Sequence, residues 1–202
     1  MELIKNVLLV FFGYISGSFP PAYIAVKLFK NKDIRKIGSG NVGAMNVLRN
    51  VDVILGIITG ISDVIKGFIP VYLANRYSII QWVPLLVVVV AVAGHNWSIF
   101  LNLSGGKGVA TTFGALLALS LNSNFNLLVL IPSIIALILS LIFFKDFYIG
   151  ALLAYLVSPF SFLYFRKSWV EAILILILAI IVIYKIRFDL KRYYEKRRKI
   201  TP

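Results

Sequence analysis

The chain has 202 residues, is 60% hydrophobic and carries a formal net charge of +13. Its mean hydropathy of +0.91 lies above that of soluble globular domains, which are about half apolar. There is no cysteine and one histidine, which excludes disulfides, a thiol nucleophile, a thiolate metal site and a histidine-rich metal centre. On so greasy a chain the positive charge reads as membrane orientation and attraction to anionic headgroups. Membrane lipids are therefore expected neighbours, and nucleic acid is not an expected partner.

Hydrophobic segments follow one another at about 3–28, 51–74, 78–100, 108–121, 126–144, 147–165 and 169–187. A spanning helix needs about 17–25 such residues, and the 108–121 segment is short enough to be a partial or tilted span. The pattern predicts an all-α, polytopic helical membrane bundle with about seven membrane segments. It predicts one domain over residues 1–202 with a basic tail from about 188. The first segment lacks a basic head followed by a small-residue cleavage site, so it reads as a span rather than a removed signal. Trp82, Trp97 and Trp169 lie near predicted interfaces, where aromatic belts form.

The loops alternate in charge. Lys30, Lys32, Arg35, Lys36 and Arg49 crowd the first, Lys107 and Lys145 follow on the same side, and eight basic residues fill 185–199. The opposite side has Lys5, Arg76, Arg166 and Lys167, so the ratio is fifteen to four. Basic loops stay in the cytoplasm. This places the N-terminus outside, the C-terminus in the cytoplasm, and both glycine-rich loops on the cytoplasmic side. No internal repeat supports an inverted-repeat transporter.

The loop from Asp33 to Arg49 holds Gly38, Gly40 and Gly43, which let backbone amides approach a ligand. Ser39, Asn41 and Asn46 add polar side chains, and Arg49 adds a planar fork suited to phosphate. Asn46 and Arg49, three apart, would share a helix face. The plainer alternative is a polar loop with Asn41 capping the second span. That span contains Asp63 and Lys66, which are placed to pair. A membrane-embedded charge is a functional candidate by default.

Gly94-His95-Asn96 leads into Gly105-Gly106-Lys107-Gly108 at the predicted membrane edge. The glycines uncover backbone N–H groups beside a cation, which suits an anion. Thr111 and Thr112 lie in the first turn of the helix that follows. An NTPase phosphate loop does not fit, because Leu101 stands where its first glycine belongs and Gly108 where Ser or Thr should follow the lysine. His95 is the only conventional general base, but a soluble-type acyltransferase motif would place Asp at the position of Phe100. An orienting role is equally open. In the tail, Arg187, Lys191 and Arg192 are candidates to close over a site.

Tyr14 to Pro20, the loop Asp33 to Arg49, Asp63-x-x-Lys66-Gly67-x-x-Pro70, and Gly94-His95 followed by Gly105 to Thr111 occur in that order. Together they resemble the bacterial acyl-phosphate:glycerol-3-phosphate acyltransferase family over about residues 10–192. The resemblance implies an integral helical enzyme without a cofactor or metal. Its substrates would be acyl phosphate and glycerol 3-phosphate, its product lysophosphatidic acid, and its place the bacterial cytoplasmic membrane. Several positions depart from the family pattern. Met45 replaces a threonine, Ser98 a usual proline, and the segment from Lys145 keeps only a cation and Tyr148. Ile186 and Asp189 replace His and Asn.

With two phosphorylated substrates, the residues suggest two anion pockets. Ser39, the amides near Gly40–Gly43 and Lys107 would hold one phosphate. Arg49, Asn46 and Arg187 or Arg192 would hold the other. Lys66, Asn41, Asn96, Gly105, Gly106, Gly108 and Thr111 complete the substrate-binding set, and Ser39, Arg49, His95 and Lys107 form the catalytic set. The proton acceptor is His95 or, as the resemblance implies, substrate phosphate itself. A channel for phosphorylated anions, or a family member without catalytic activity, would use similar loops.

Overall fold

The computed structural model describes residues 1–122, 125–145 and 147–198, with side chains described except at 147, 148 and 188–198. The basic tail from about 188 thus lies outside the described side chains. All named secondary structure among the described residues is helical. The chain divides into two compact units, Met1–Phe125 and Asn126–Pro202.

In the first unit, the first hydrophobic segment forms two helices, α1 (Glu2–Ser18) and α2 (Pro21–Lys30). Sequence alone predicts one element over 3–28. The structure breaks it because Pro20 and Pro21 offer no N–H, and the fixed φ of Pro21 starts a new helix instead. A single 3₁₀ turn over Ile34–Lys36 leads to the short α3 (Ala44–Asn50). α4 (Val53–Tyr77) is the long axis of the unit. Its N-cap is Asp52, whose carboxylate accepts from the N–H groups of Ile54 and Leu55 at 2.9 and 3.1 Å. The expected cap, Asn41, sits before α3 and does not cap α4. Gly43 precedes α3 without a side-chain cap.

α5 (Val83–Asn96) and α6 (Val109–Ser120) complete this unit. α1 runs antiparallel to α4: Lys66 reaches Phe19, while Leu8 and Phe12 share an apolar groove with Leu73 and Tyr77. Small residues let these helices approach closely. Gly17 lies against the Ala91 carbonyl of α5, and Gly114 of α6 lies against the Val64 carbonyl of α4.

Five helical stretches are long and apolar enough to cross a membrane: Glu2–Lys30, Val53–Tyr77, Leu127–Phe144, Ile149–Arg166 and Trp169–Arg187. α5 and α6 are not among them. Their 14 and 12 residues reach only about 21 and 18 Å at 1.5 Å per residue, against a hydrocarbon core of about 30 Å. The segment predicted over 78–100 is thus a shorter helix than expected, begun beside Pro84 and ended at Trp97.

The second unit begins with a 3₁₀ turn over Leu127–Leu130, followed by α7 (Ile131–Phe144), α8 (Phe147–Arg166) and α9 (Trp169–Arg198). Arg166 and Glu171 pair at 2.8 Å across the α8–α9 corner. α9 continues without interruption from its apolar span into the basic segment.

The cap at Asp52 has a measurable consequence. Asp52→Ala should destabilise the protein by about 1 kcal/mol and lower its melting temperature in detergent by about 2–4 °C. An unchanged melting curve would show that α4 does not depend on this cap.

Candidate active site

Two polar centres form in the first unit, each organised by its own residues. The first lies near the middle of α4. Asp63 and Lys66, one turn apart, are both buried and pair at 2.9 Å, as their spacing predicts. Lys66 Nζ also donates to the Phe19 carbonyl at 2.8 Å, at the break between α1 and α2. The Lys66 carbonyl has lost its helical donor because Pro70 stands four residues on, and the Ser16 hydroxyl donates to it at 2.8 Å.

His95, in the last turn of α5, stands beside this pair. Its Nδ1 lies 3.4 Å from Asp63 Oδ1, and its carbonyl accepts the Gly106 N–H at 3.0 Å. The imidazole rests on Gly106, where any Cβ would collide with Nε2. Gly105 is pressed as closely on the His95 and Asn96 backbone. The glycine turn therefore stands beside Asp63–Gly67, about 15 Å along α4 from Val53 at 1.5 Å per residue. Sequence alone puts it at the membrane edge. The short reach of α5 and α6 draws it to the level of the buried ion pair.

Gly108, with φ of 82°, is the N-cap of α6, and Lys107 is half-buried beside it. Asn96 is fully buried next to Gly108. Among the described residues, no group hydrogen-bonds the Asn96 carboxamide or the hydroxyls of Thr111 and Thr112, all buried. Buried polar groups left this way cost about 1–3 kcal/mol each, so this helix start is suited to a polar ligand or solvent. The turn is closed by Ser98. Its N–H donates to the Ser104 carbonyl at 3.2 Å, a bond that the family's usual proline would lack, and its hydroxyl donates to the Ser18 carbonyl. Tyr14 fastens the same corner by donating to the Trp97 carbonyl at 2.9 Å.

The second centre is the loop before α4. Asn46 is buried at its heart. Its amide donates to the Ile37 and Asn41 carbonyls at 2.9 and 3.0 Å. Its oxygen accepts from the Ser39 N–H at 3.2 Å and from Asn50 at 3.0 Å. Asn46 is thus engaged as the internal strut of the loop, whereas Arg49 is exposed on the last turn of α3. The two lie three apart on one short helix, as expected, but only Arg49 reaches the surface. Gly38 and Gly40 hold φ of 56° and 72°, a region costly for other residues. Ser39 is exposed, and its hydroxyl accepts weakly from the Asn41 N–H at 3.4 Å. Met45 is exposed, so its thioether adds nothing polar here.

Electrostatics separate the loop's cations. Hydrogen bonds from Arg35 hold Asp33 down to about 2, and Arg35 also lies over the Tyr23 ring at 5.2 Å. Lys30 pairs with Asp52 at 2.9 Å and lowers that carboxyl below its usual range. Both cations are engaged. Among the described residues no hydrogen bond or ion pair engages Arg49, which leaves its fork available to an anion.

Arg187 and Arg192 belong to the second unit. The Arg187 guanidinium lies 3.7 Å from the Tyr184 ring centroid, and Ile186 beside it is fully buried. The side chains of Arg192, Lys191, Asp189 and Tyr148 lie outside the described residues. Sequence reading missed the Phe19 carbonyl, Ser16 and Ser18. The prolines at 20–21 and at 70 were the available signal, since Pro70 removes the donor to the Lys66 carbonyl and the Pro20–Pro21 break bares the carbonyl of Phe19.

The Asn46 strut is testable by proteolysis. Asn46→Ala should leave the Ser39 N–H and two loop carbonyls without partners, at about 1–3 kcal/mol each where buried. Tryptic cleavage after Arg35 and Lys36 should accelerate at least several-fold; an unchanged rate would remove Asn46 from this role.

Residues 7–196 match the sequence model of the family described as glycerol-3-phosphate acyltransferase. The chain is 36% identical to a glycerol-3-phosphate acyltransferase of Endomicrobium trichonymphae, over 96% of this chain and 94% of that one. It is 37% identical to glycerol-3-phosphate acyltransferase 2 of Moorella thermoacetica, over 89% of each. Among solved structures it resembles PlsY (YgiH), an integral membrane glycerol 3-phosphate acyltransferase, in its glycerol 3-phosphate form (TM-score 0.80, 28% identity, 96% of this chain and 94% of that one). The lysophosphatidic acid form of PlsY is also similar (TM-score 0.75, 28% identity, 96% and 93%). This chain is a multi-pass membrane protein and belongs to the glycerol-3-phosphate acyltransferase family.

Proposed function

We propose that this chain transfers a fatty acyl group from acyl phosphate to the 1-hydroxyl of glycerol 3-phosphate, giving lysophosphatidic acid and inorganic phosphate. The observation that carries this reading is the start of α6. Glycine amides, Lys107 and the buried, unpartnered polar groups of Asn96, Thr111 and Thr112 converge there. The resemblance to a structure bearing glycerol 3-phosphate, and to one bearing lysophosphatidic acid, supports the substrate and product.

In the reaction, the hydroxyl oxygen of glycerol 3-phosphate attacks the acyl carbon. The bond from that carbon to the phosphate oxygen breaks, and phosphate departs. Phosphate is a good leaving group, so little general-acid help is needed. Lys107 and the N–H groups of Gly105 and Gly108 stabilise the negative charge growing on a phosphate. Arg49, on the last turn of α3, and Ser39, in the loop before it, hold the second phosphate. Fixing both reagents provides proximity, the largest gain open to a site with so few acid–base groups. The contacts of His95 with Asp63 and Gly106 favour an orienting role, with the hydroxyl proton passing to a phosphate oxygen.

The charge pattern supports a cytoplasmic site in a bacterial inner membrane, with the N-terminus outside. In this reading five long helices and the two short ones, α5 and α6, make up the seven membrane segments, within one functional domain.

The donor is tested directly. Purified protein given glycerol 3-phosphate should form lysophosphatidic acid from palmitoyl phosphate, with stoichiometric phosphate release, and little from palmitoyl-CoA. Product from palmitoyl-CoA alone would overturn the donor assignment.

Lys107 offers a second test. Lys107→Ala should reduce turnover by about 10²-fold or more, as loss of a transition-state donor does, with an unchanged elution profile in detergent. Near-normal turnover would remove the lysine from the chemistry.

A further inference from the structure

The buried charges of α4 do more than satisfy one another. Asp63 Oδ1 faces two nitrogens, Lys66 Nζ at 2.9 Å and His95 Nδ1 at 3.4 Å, as charge contacts without hydrogen-bond alignment. His95 is in turn the bed of the glycine turn, through its carbonyl to the Gly106 N–H and through its ring against the Gly106 Cα. Lys66 carries the chain of contacts the other way, to the Phe19 carbonyl at the α1–α2 break. A carboxylate oxygen only accepts, so it favours the imidazole tautomer whose proton lies on the facing nitrogen. Carboxylates beside functional histidines set ring orientation in this manner.

We propose that Asp63 is a positioning residue for acyl transfer. It fixes the orientation and Nδ1–H tautomer of His95, and His95 sets the anion-binding turn at residues 105–108. Lys66 compensates the buried carboxylate and ties the assembly to the α1–α2 break. Asp63 touches neither substrate; its effect on the reaction passes through His95. This inference rests on the acyltransferase reading for its catalytic consequence, while the contact itself is independent of that reading.

The single histidine makes the test clean, because ¹⁵N-imidazole labelling reports one ring. In the wild-type protein in detergent the spectrum should show a neutral ring protonated at Nδ1. Replacing the pair together, Asp63→Leu with Lys66→Met, avoids stranding one buried charge. In that variant the Nδ1–H signature should be lost, and kcat/KM for glycerol 3-phosphate should fall at least tenfold. His95→Ala should lower kcat/KM in the wild-type background but by less than about twofold in the paired variant, since residues acting as one unit are non-additive. Three results would overturn the proposal: a wild-type ring protonated only at Nε2, full activity in the paired variant, or an equal His95→Ala loss in both backgrounds. If the paired variant does not fold, the wild-type spectrum alone decides the contact. If wild-type protein makes no lysophosphatidic acid from either donor, the functional reading fails, while the spectrum still tests the positioning contact.

Discussion

A carboxylate and an ammonium in an apolar helix bundle are stable there only together and with their remaining valences filled. Asp63 and Lys66 pair with each other and bring three other elements to their level: the end of α1, the end of α5 and, through His95, the turn before α6. The arrangement is directional. Lys66 needs acceptors beyond one carboxylate oxygen, and the broken backbone at Phe19 supplies one. Asp63 needs donors, and His95 stands beside it. The scaffold of the candidate site follows from placing these two buried charges.

Proline makes this possible. In a continuous helix every interior carbonyl is taken by an N–H four residues on. Pro70 removes the donor to the Lys66 carbonyl directly, and Pro20 and Pro21 break the helix so that the Phe19 carbonyl, at the end of α1, loses its own. Two otherwise hidden carbonyls, those of Phe19 and Lys66, then take a lysine and a serine hydroxyl from the facing helix. α1 and α4 are thereby locked in register at one level, and it is the level at which α5 ends and the glycine turn begins. The loop before α3 is built on a different plan. Asn46 spends its side chain on the loop's own backbone, so the loop keeps its glycine-rich shape while Arg35 and Lys30 are neutralised and Arg49 stays exposed. Shape and charge are assigned to different residues.

The family and the broad architecture are legible from sequence, because both rest on local patterns. Apolar runs of sufficient length, ordered motifs and the i, i+3 spacing of Asp63 and Lys66 are properties of contiguous residues. Where sequence reading fails, the deciding term is non-local. Asn46 resembles a ligand donor until the structure shows its amide consumed by Ile37 and Asn41. Asn41 resembles an N-cap until α3 is interposed and Asp52 takes the position. The segment over 78–100 resembles a full span until α5 proves to stop at Asn96.

Sequence by itself thus determined that the chain is helical, membrane-embedded, strongly basic and a member of an acyltransferase family, since hydropathy, charge and motif order need no third dimension. Tertiary structure alone decided that the glycine turn lies beside the middle of α4, that His95 faces Asp63 while bearing on Gly106, and that Asn96, Thr111 and Thr112 gather at one helix start. Those relations join residues 44 positions apart where Gly67 of α4 meets the Thr111 carbonyl of α6. They are set by how helices of unequal length pack against one buried ion pair, which no local pattern encodes.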